Sequence, residues 1–193
     1  MDVAVIGTGF IGGTLGRAMA QSGHRVTFGS RRPDDDDVAG TSGASVASVG
    51  DALGAAGVII LALPGPAVAE LAADHGAALA GKLVIDATNQ MGQAVTNSRS
   101  SLPGTVRYAR AFNTLGGENM ADPIFAGGPA DMFFSAPEAD RAIVEEVVRG
   151  VGLHPVYVGA DQEDLLDALF RLWMALAVGQ KRGRRLAFRL LDG

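Results

Sequence analysis

The sequence predicts an α/β protein organised on one doubly wound, mainly parallel sheet. Three observations support that class. Short apolar runs rich in Val, Ile and Leu alternate with helix-spaced stretches over the 193 residues. The runs at 58–63 (VIILAL) and 83–86 (LVID) are apolar at consecutive positions, as strands covered on both faces require. The first run passes at once into a glycine-rich turn and a helix pattern, and neither an internal repeat nor a linker follows. Residues 1–160 are expected to form the sheet domain, and 161–193 a C-terminal helix and tail packed on it or on a second subunit.

The first strand is Asp2–Ile6, with Val3, Val5 and Ile6 apolar. Gly7, Thr8, Gly9, Phe10, Ile11 and Gly12 follow as an intact G-x-G-x-x-G, and Leu15, Ala18 and Met19 give the next segment its helical spacing. The three glycines answer separate physical needs. Gly7 permits the tight turn, Gly9 lets a pyrophosphate approach the backbone, and Gly12 lets the helix pack close to the strand. The free N–H groups and positive dipole end of that helix then face the phosphates. In a chain with 27 glycines the bare motif carries little weight. Its place between a strand and a helix is what marks a dinucleotide site.

The helix should end near Gly23, and residues 24–28 form the second strand. An NAD site wants Asp or Glu at the end of that strand, to accept from the ribose 2′-hydroxyl. Here stand Ser30, Arg31 and Arg32, a hydroxyl and two guanidinium groups suited to a 2′-phosphate. Ser30 lies 30 − 12 = 18 residues after the last glycine, close to the separation such sites use. NADP(H) is therefore preferred to NAD(H), the alternative being an ordinary solvated Arg-Arg turn. The acidic run 34–37 is expected to point away from the phosphate as a solvated loop.

Residues 38–48 suggest no element, and a helix covers about 50–55. Pro64, Gly65 and Pro66 end the 58–63 strand and open a helix that runs to about Leu79. Ala87, Thr88, Asn89 and Gln90 stand at the end of the 83–86 strand, before an irregular 91–104 segment long enough for a substrate-side loop. A strand at 106–111 leads into Phe112, Asn113 and Thr114. The pairs Gly116-Gly117 and Gly127-Gly128 suggest mobile loops beside the cleft. Strands at 131–135 and 154–158 flank an amphipathic helix at 137–151, whose stripe includes Ile143, Val144, Val147 and Val148. In the last helix, 162–178, Leu165, Leu169, Leu172 and Leu176 form a face that should be buried, with Trp173 and Met174 in the core. The basic tail (Lys181, Arg182, Arg184, Arg185, Arg189) reads as a solvated end.

Composition narrows the chemistry. A net charge of −5 argues against nucleic acid and anionic membranes as partners. With no cysteine there is no disulfide and no thiolate, and His24, His75 and His154 lack metal-ligand spacing. The chain enters a strand without a basic leader, and no apolar run reaches membrane-spanning length, so a cytoplasmic protein without bound metal is expected.

In an open α/β sheet the ligand lies across the C-terminal ends of the strands. Leu63, Pro64, Ala87, Thr88 and Asn113 should then lie near the nicotinamide, with Asn89 and Asn113 as groups able to orient a ring. Both asparagines are equally at home as plain turn residues. This edge offers no evident general acid, since Lys82 and Lys181 stand elsewhere and Tyr108 and Tyr157 fall within strands. Hydride exchange between two redox carriers needs alignment and exclusion of water more than a proton donor.

Taken in order, GTGFIG, SRRP, VIILALPGPA, VIDATNQ and ARAFNT resemble the NADPH-dependent reductases of the deazaflavin coenzyme F-420 (F420), over nearly the whole chain. That resemblance implies a Rossmann domain with a short C-terminal extension, hydride transfer between NADP(H) and the deazaflavin, and a homodimer. It carries Gly7 to Gly12, Ser30, Arg31 and Arg32 over as cofactor contacts. The 90–101 loop does not match the family's deazaflavin-facing segment. A reductase of another acceptor (flavin, quinone, imine or small carbonyl compound) and a non-catalytic NADP(H)-binding sensor are the alternatives.

Overall fold

Alternation along the first strand decides where the two halves of the core lie. In β1 (Asp2–Ile6), Val3 and Val5 join one apolar cluster, and Ala4 and Ile6 join the other. α1 (Phe10–Gln21) covers the first face with Leu15 and Met19. α2 (Val49–Ala55) and α3 (Ala67–Leu79) cover the second with Leu53, Val68, Leu71 and Leu79. The structure is a computed structural model and describes residues 1–40, 42–93 and 95–191. Thr41 in the 38–48 segment, Ala94 in the 90–101 loop, and Asp192 and Gly193 of the tail lie outside the described residues.

Beside β1 stand β2 (Arg25–Ser30), β3 (Ser45–Ser48), β4 (Val58–Leu61), β5 (Leu83–Asp86) and β6 (Arg107–Arg110). All pair parallel, in the order β3-β2-β1-β4-β5-β6. Val3 lies opposite Val26 on one side and Val58 on the other, so winding reverses at β1 and a crevice opens between β1 and β4. β2 runs two residues past its apolar stretch, which makes Ser30 its last residue. β3 is a further strand that the 38–48 segment did not announce. Its small residues pair on β2 at the sheet edge, so hydrogen bonding and not apolar content defines it.

Beyond β6 the expectation of one continuous sheet is corrected. α4 (Gly117–Ala121) and a two-residue hairpin, β7 (Ile124–Phe125) with β8 (Gly128–Pro129), come first. β9 (Asp131–Phe134) and β10 (His154–Tyr157), joined by α5 (Arg141–Gly150), then form their own parallel pair. Among the described residues they meet the main sheet through one antiparallel bridge, Arg110 to Ser135. The glycine pairs also differ from expectation. Gly116 and Gly117 open α4 under Trp173, Phe10 and Ile11, where a Cβ would collide, and Gly127 and Gly128 lie against Arg189.

α6 (Glu163–Met174), extended by a π-turn at Ala175–Gly179, presents a different face from the one its leucine spacing suggests. The buried stripe is Leu166, Asp167, Phe170, Trp173 and Ala177, whereas Leu165 is 52% and Leu172 48% exposed. The tail is likewise no solvated end. Trp173 Nε1 donates to Leu186 O at 2.7 Å, and Asn119 Nδ2 donates to the carbonyls of Arg184 and Leu186 at 2.9 and 3.0 Å. Arg185 pairs with Asp122 and lies 4.1 Å over the Phe125 ring, so the tail is strapped across α4 and the hairpin.

Candidate functional site

The turn between β1 and α1 shows why three glycines stand there. Gly7 takes φ +111°, a region L side chains rarely enter, and a Cβ on it would strike the Ala62 carbonyl. At Gly12 a Cβ would strike the Gly7 carbonyl, so α1 sits directly on the turn. Gly9 differs: a Cβ there meets nothing, and its bareness leaves the N-terminus of α1 open to the outside. Gly9 is the N-cap, without side-chain capping and with no acidic residue in the first turn. Its orphan N–H groups and positive end suit an anion.

A cavity of about 440 Å³ runs from this turn along the crevice. Gly7, Thr8, Gly9, Ser30, Arg31, Arg32, Leu63 and Pro64 all line it, together with Asp36, Glu70, Asp74 and His75. Sequence reasoning missed the last four. Arg31 and Arg32 are exposed, and among the described residues neither guanidinium has a hydrogen bond or ion pair. Asp36 corrects the expectation that the acidic run points away. Its Oδ2 accepts from Ser30 Oγ at 2.9 Å and its Oδ1 from Val38 N at 3.1 Å, while Ser30 Oγ accepts from Arg32 N at 3.1 Å.

Ala62 and Leu63 are shared with a second cavity of about 220 Å³. Ile11, Phe112, Leu115, Met120, Phe170, Trp173 and Met174 make most of its wall, and Ala87, Thr88, Asn89 and Arg184 also reach it. Arg184 sits 5.5 Å over the Trp173 ring and pairs with Glu118, Nε to Oε1, at 2.6 Å. That hydrogen bond holds the Glu118 carboxyl below its ordinary value. The Thr88 hydroxyl shares a 2.7 Å hydrogen bond with Ser98 Oγ and is buried.

Behind this wall lies a polar network that sequence reasoning also missed. Arg110, the last residue of β6, is fully buried and lies 3.4 Å from Asp86 and 2.9 Å from Asp167 of α6. It donates to Thr88 O at 2.6 Å, to Asn89 Oδ1 at 3.1 Å and to Thr96 Oγ1 at 3.0 Å. The network orients the Asn113 amide with its oxygen towards Arg110, 2.7 Å from Nη2. Asp86 accepts from Thr88 N, Ser98 N and the Tyr108 hydroxyl. Burial, and then the Asp86 charge, keep the Tyr108 phenol far above its usual titration range, so it is a fixed donor. Desolvation opposes the Asp167 charge, but hydrogen bonds from Thr96 and Asn97 and the Arg110 guanidinium outweigh it and lower its pKa. The available signal was an arginine at the end of a strand whose neighbours are apolar.

Of the predicted contacts, Ile11, Leu63, Ala87, Thr88 and Asn89 meet at the second cavity. Asn113 lines neither cavity and is fully buried. Phe10 is 60% exposed and lies against Gly117. Gly12 acts beneath the turn, as predicted from its spacing.

Residues 2–90 match the model of the family described as NADP oxidoreductase, coenzyme F420-dependent. That segment runs from β1 to just past β5 and holds the glycine turn, Ser30, Arg31 and Arg32. Among solved structures, the chain is similar to an Arthrobacter sp. FB24 protein provisionally assigned as an F420-dependent NADP-reductase, at 23% identity and a TM-score of 0.83, with all of both chains covered. It is similar to a Streptomyces aurantiacus imine reductase (22% identity, TM-score 0.72) over 91% of this chain and 61% of that one. A Mycobacterium tuberculosis 3-hydroxyisobutyrate dehydrogenase gives 22% and 0.70 over 93% and 61%. The chain thus spans about three fifths of the last two. These likenesses show a Rossmann-like fold, and the family matched is one of NADP-dependent oxidoreductases. Among the described residues no cluster of His, Asp and Glu could hold a metal ion, and no helix is long and apolar enough to cross a membrane.

Proposed function

We propose that the protein is a cytoplasmic oxidoreductase that moves a hydride between NADP(H) in the first cavity and a deazaflavin, coenzyme F420, in the second. That the two cavities adjoin at Ala62 and Leu63 carries the reading, because it sets two ring-sized sites side by side at one apolar edge. The dinucleotide, when bound, supplies or takes up the hydride. The chain's own part is to bind, align and exclude water. The open N-terminus of α1 faces the pyrophosphate across Gly9, and Arg31 and Arg32 supply positive charge for the 2′-phosphate. Leu63 and Pro64 form an apolar wall for the nicotinamide, and Ala87 and Thr88 line the neighbouring acceptor side. Asn89, steadied by Arg110, is the polar group that orients a ring in the second cavity. Phe112, Phe170 and Trp173 offer flat apolar surface to the acceptor and keep water out. The half-exposed Leu165 and Leu172 of α6 are the face for a second copy in a homodimer.

The test is to mix the protein with NADPH and, separately, the deazaflavin, flavins, quinones, imines and small carbonyl compounds. Loss of the nicotinamide absorbance with the deazaflavin alone is the expected result. Turnover with another acceptor alone would replace the substrate. Tight binding of NADPH without any turnover would make the protein a sensor.

A further inference from the structure

We propose that Asp36 sets the dinucleotide preference of the first cavity, accepting a free ribose 2′-hydroxyl and opposing a 2′-phosphate, so that NADH and NADPH bind with similar strength. The proposal rests on the dinucleotide reading given above and adds to it a specificity-determining residue.

The argument starts from the single proton of the Ser30 hydroxyl. That proton goes to Asp36 Oδ2 at 2.9 Å, and the oxygen accepts from Arg32 N at 3.1 Å. A hydroxyl has one O–H to give, so Ser30 can donate to a phosphate only by leaving Asp36. The carboxylate is held on other sides as well. Val38 N donates to its Oδ1 at 3.1 Å, and the Thr8 hydroxyl stabilises it from the glycine turn. It lines the same cavity as Gly7, Thr8 and Gly9, beside the last residue of β2. Desolvation disfavours its charge, but the hydrogen bonds from Thr8, Ser30 and Val38 and the nearby Arg32 charge outweigh that, so its pKa is lowered. At neutral pH the cavity thus presents a carboxylate hydrogen-bonded to the last residue of β2, the strand end at which sites that read a 2′-hydroxyl carry their acid. Facing a 2′-phosphate, the same charge repels. Arg31 and Arg32, exposed and with no hydrogen bond or ion pair from their guanidinium groups among the described residues, offset this repulsion.

The experiment is equilibrium binding of NADPH and NADH by the whole chain, without acceptor, for the wild type, Asp36→Asn, Ser30→Ala and the double variant. Wild-type dissociation constants should lie within about tenfold of each other. Asp36→Asn keeps the size and removes the charge, and should tighten NADPH by about tenfold while leaving NADH unchanged or weaker, since one like charge a few ångströms away in partly solvated surroundings is worth roughly one decade. Ser30→Ala should cost NADPH more in the Asp36→Asn background than in the wild type, because only there is the hydroxyl free to serve the phosphate. Unchanged or weaker NADPH binding by Asp36→Asn overturns the proposal and leaves the dinucleotide reading intact. A wild-type preference for NADPH beyond about a hundredfold overturns it without any variant. No binding of either dinucleotide by the wild type overturns both.

Discussion

Gly9 and Gly12 stand three residues apart and do opposite things, which makes them a clean pair to separate binding from folding. A Cβ at Gly9 meets open space, so Gly9→Val should keep the fold, at a cost of about 1 kcal/mol for a poorer N-cap. Titration with NADPH should show no binding, since the side chain fills the approach to the α1 N-terminus. Gly12→Ala should do the reverse to stability. Its methyl group strikes the Gly7 carbonyl, a backbone atom that cannot swing aside, and should cost about 1–3 kcal/mol in denaturant unfolding. The two arginines invite the third comparison. Replacing both Arg31 and Arg32 by Ala should weaken NADPH by roughly 1.5–3 kcal/mol for each charge-assisted hydrogen bond removed and spare NADH. Equal weakening of both coenzymes in a binding titration would show that the arginines do not read the 2′-phosphate.

At the scale of elements, β6 and α6 depend on each other through Arg110 and Asp167, both buried. Asp167→Ala leaves the guanidinium facing Asp86 alone and strips acceptors from Thr96 N and Asn97 N. A loss of about 3–5 kcal/mol is expected, read as a Tm lower by roughly 10 °C. The strands nearest the first cavity were legible because their residues obey simple rules. Asp2–Ile6 and Leu83–Asp86 are apolar runs between turn formers, and they appear with those bounds. Leu79 ends α3 as its spacing suggested. β3 was not legible, because Ser45–Ser48 owes its conformation to pairing with β2, a contact remote in sequence. The face of α6 was misread for a related reason. Four leucines at helical spacing look like a core stripe, yet the buried face carries Leu166, Phe170 and Trp173, and Asp167 goes inside with them because Arg110 waits there. Of the residues that line the first cavity, the glycine turn, Ser30, Arg31 and Arg32 stood out from motif and spacing alone. Asp36 and Arg110 could not, since a carboxylate in an acidic run and an arginine in a strand reveal their partners only once the chain is folded.

For the molecule as a whole, the lowered pKa of Asp167 ties stability to pH. A group whose carboxyl is depressed in the folded state contributes stability above its unfolded value, near 4, and loses it as pH falls through the folded value. Thermal unfolding between pH 7 and 3 should therefore show Tm falling below about pH 4, more steeply for the wild type than for Asp167→Asn. If the two curves run parallel, Asp167 does not supply the acid sensitivity. The exposed leucines of α6 bear on assembly in the same global sense. Light scattering should report a dimer, and Leu165→Glu with Leu172→Glu should shift it towards monomer.

The strap formed by the last residues has a consequence for how the protein would wear. Arg184 and the Leu186 carbonyl hold one side of the second cavity, through Trp173 and Asn119, whereas the first cavity runs between β1 and β4 and, among the described residues, is not lined by them. Cutting the strap away would therefore open the second cavity before the first. Under the proposed function, such a chain would keep the cavity for its dinucleotide and lose the one for its acceptor.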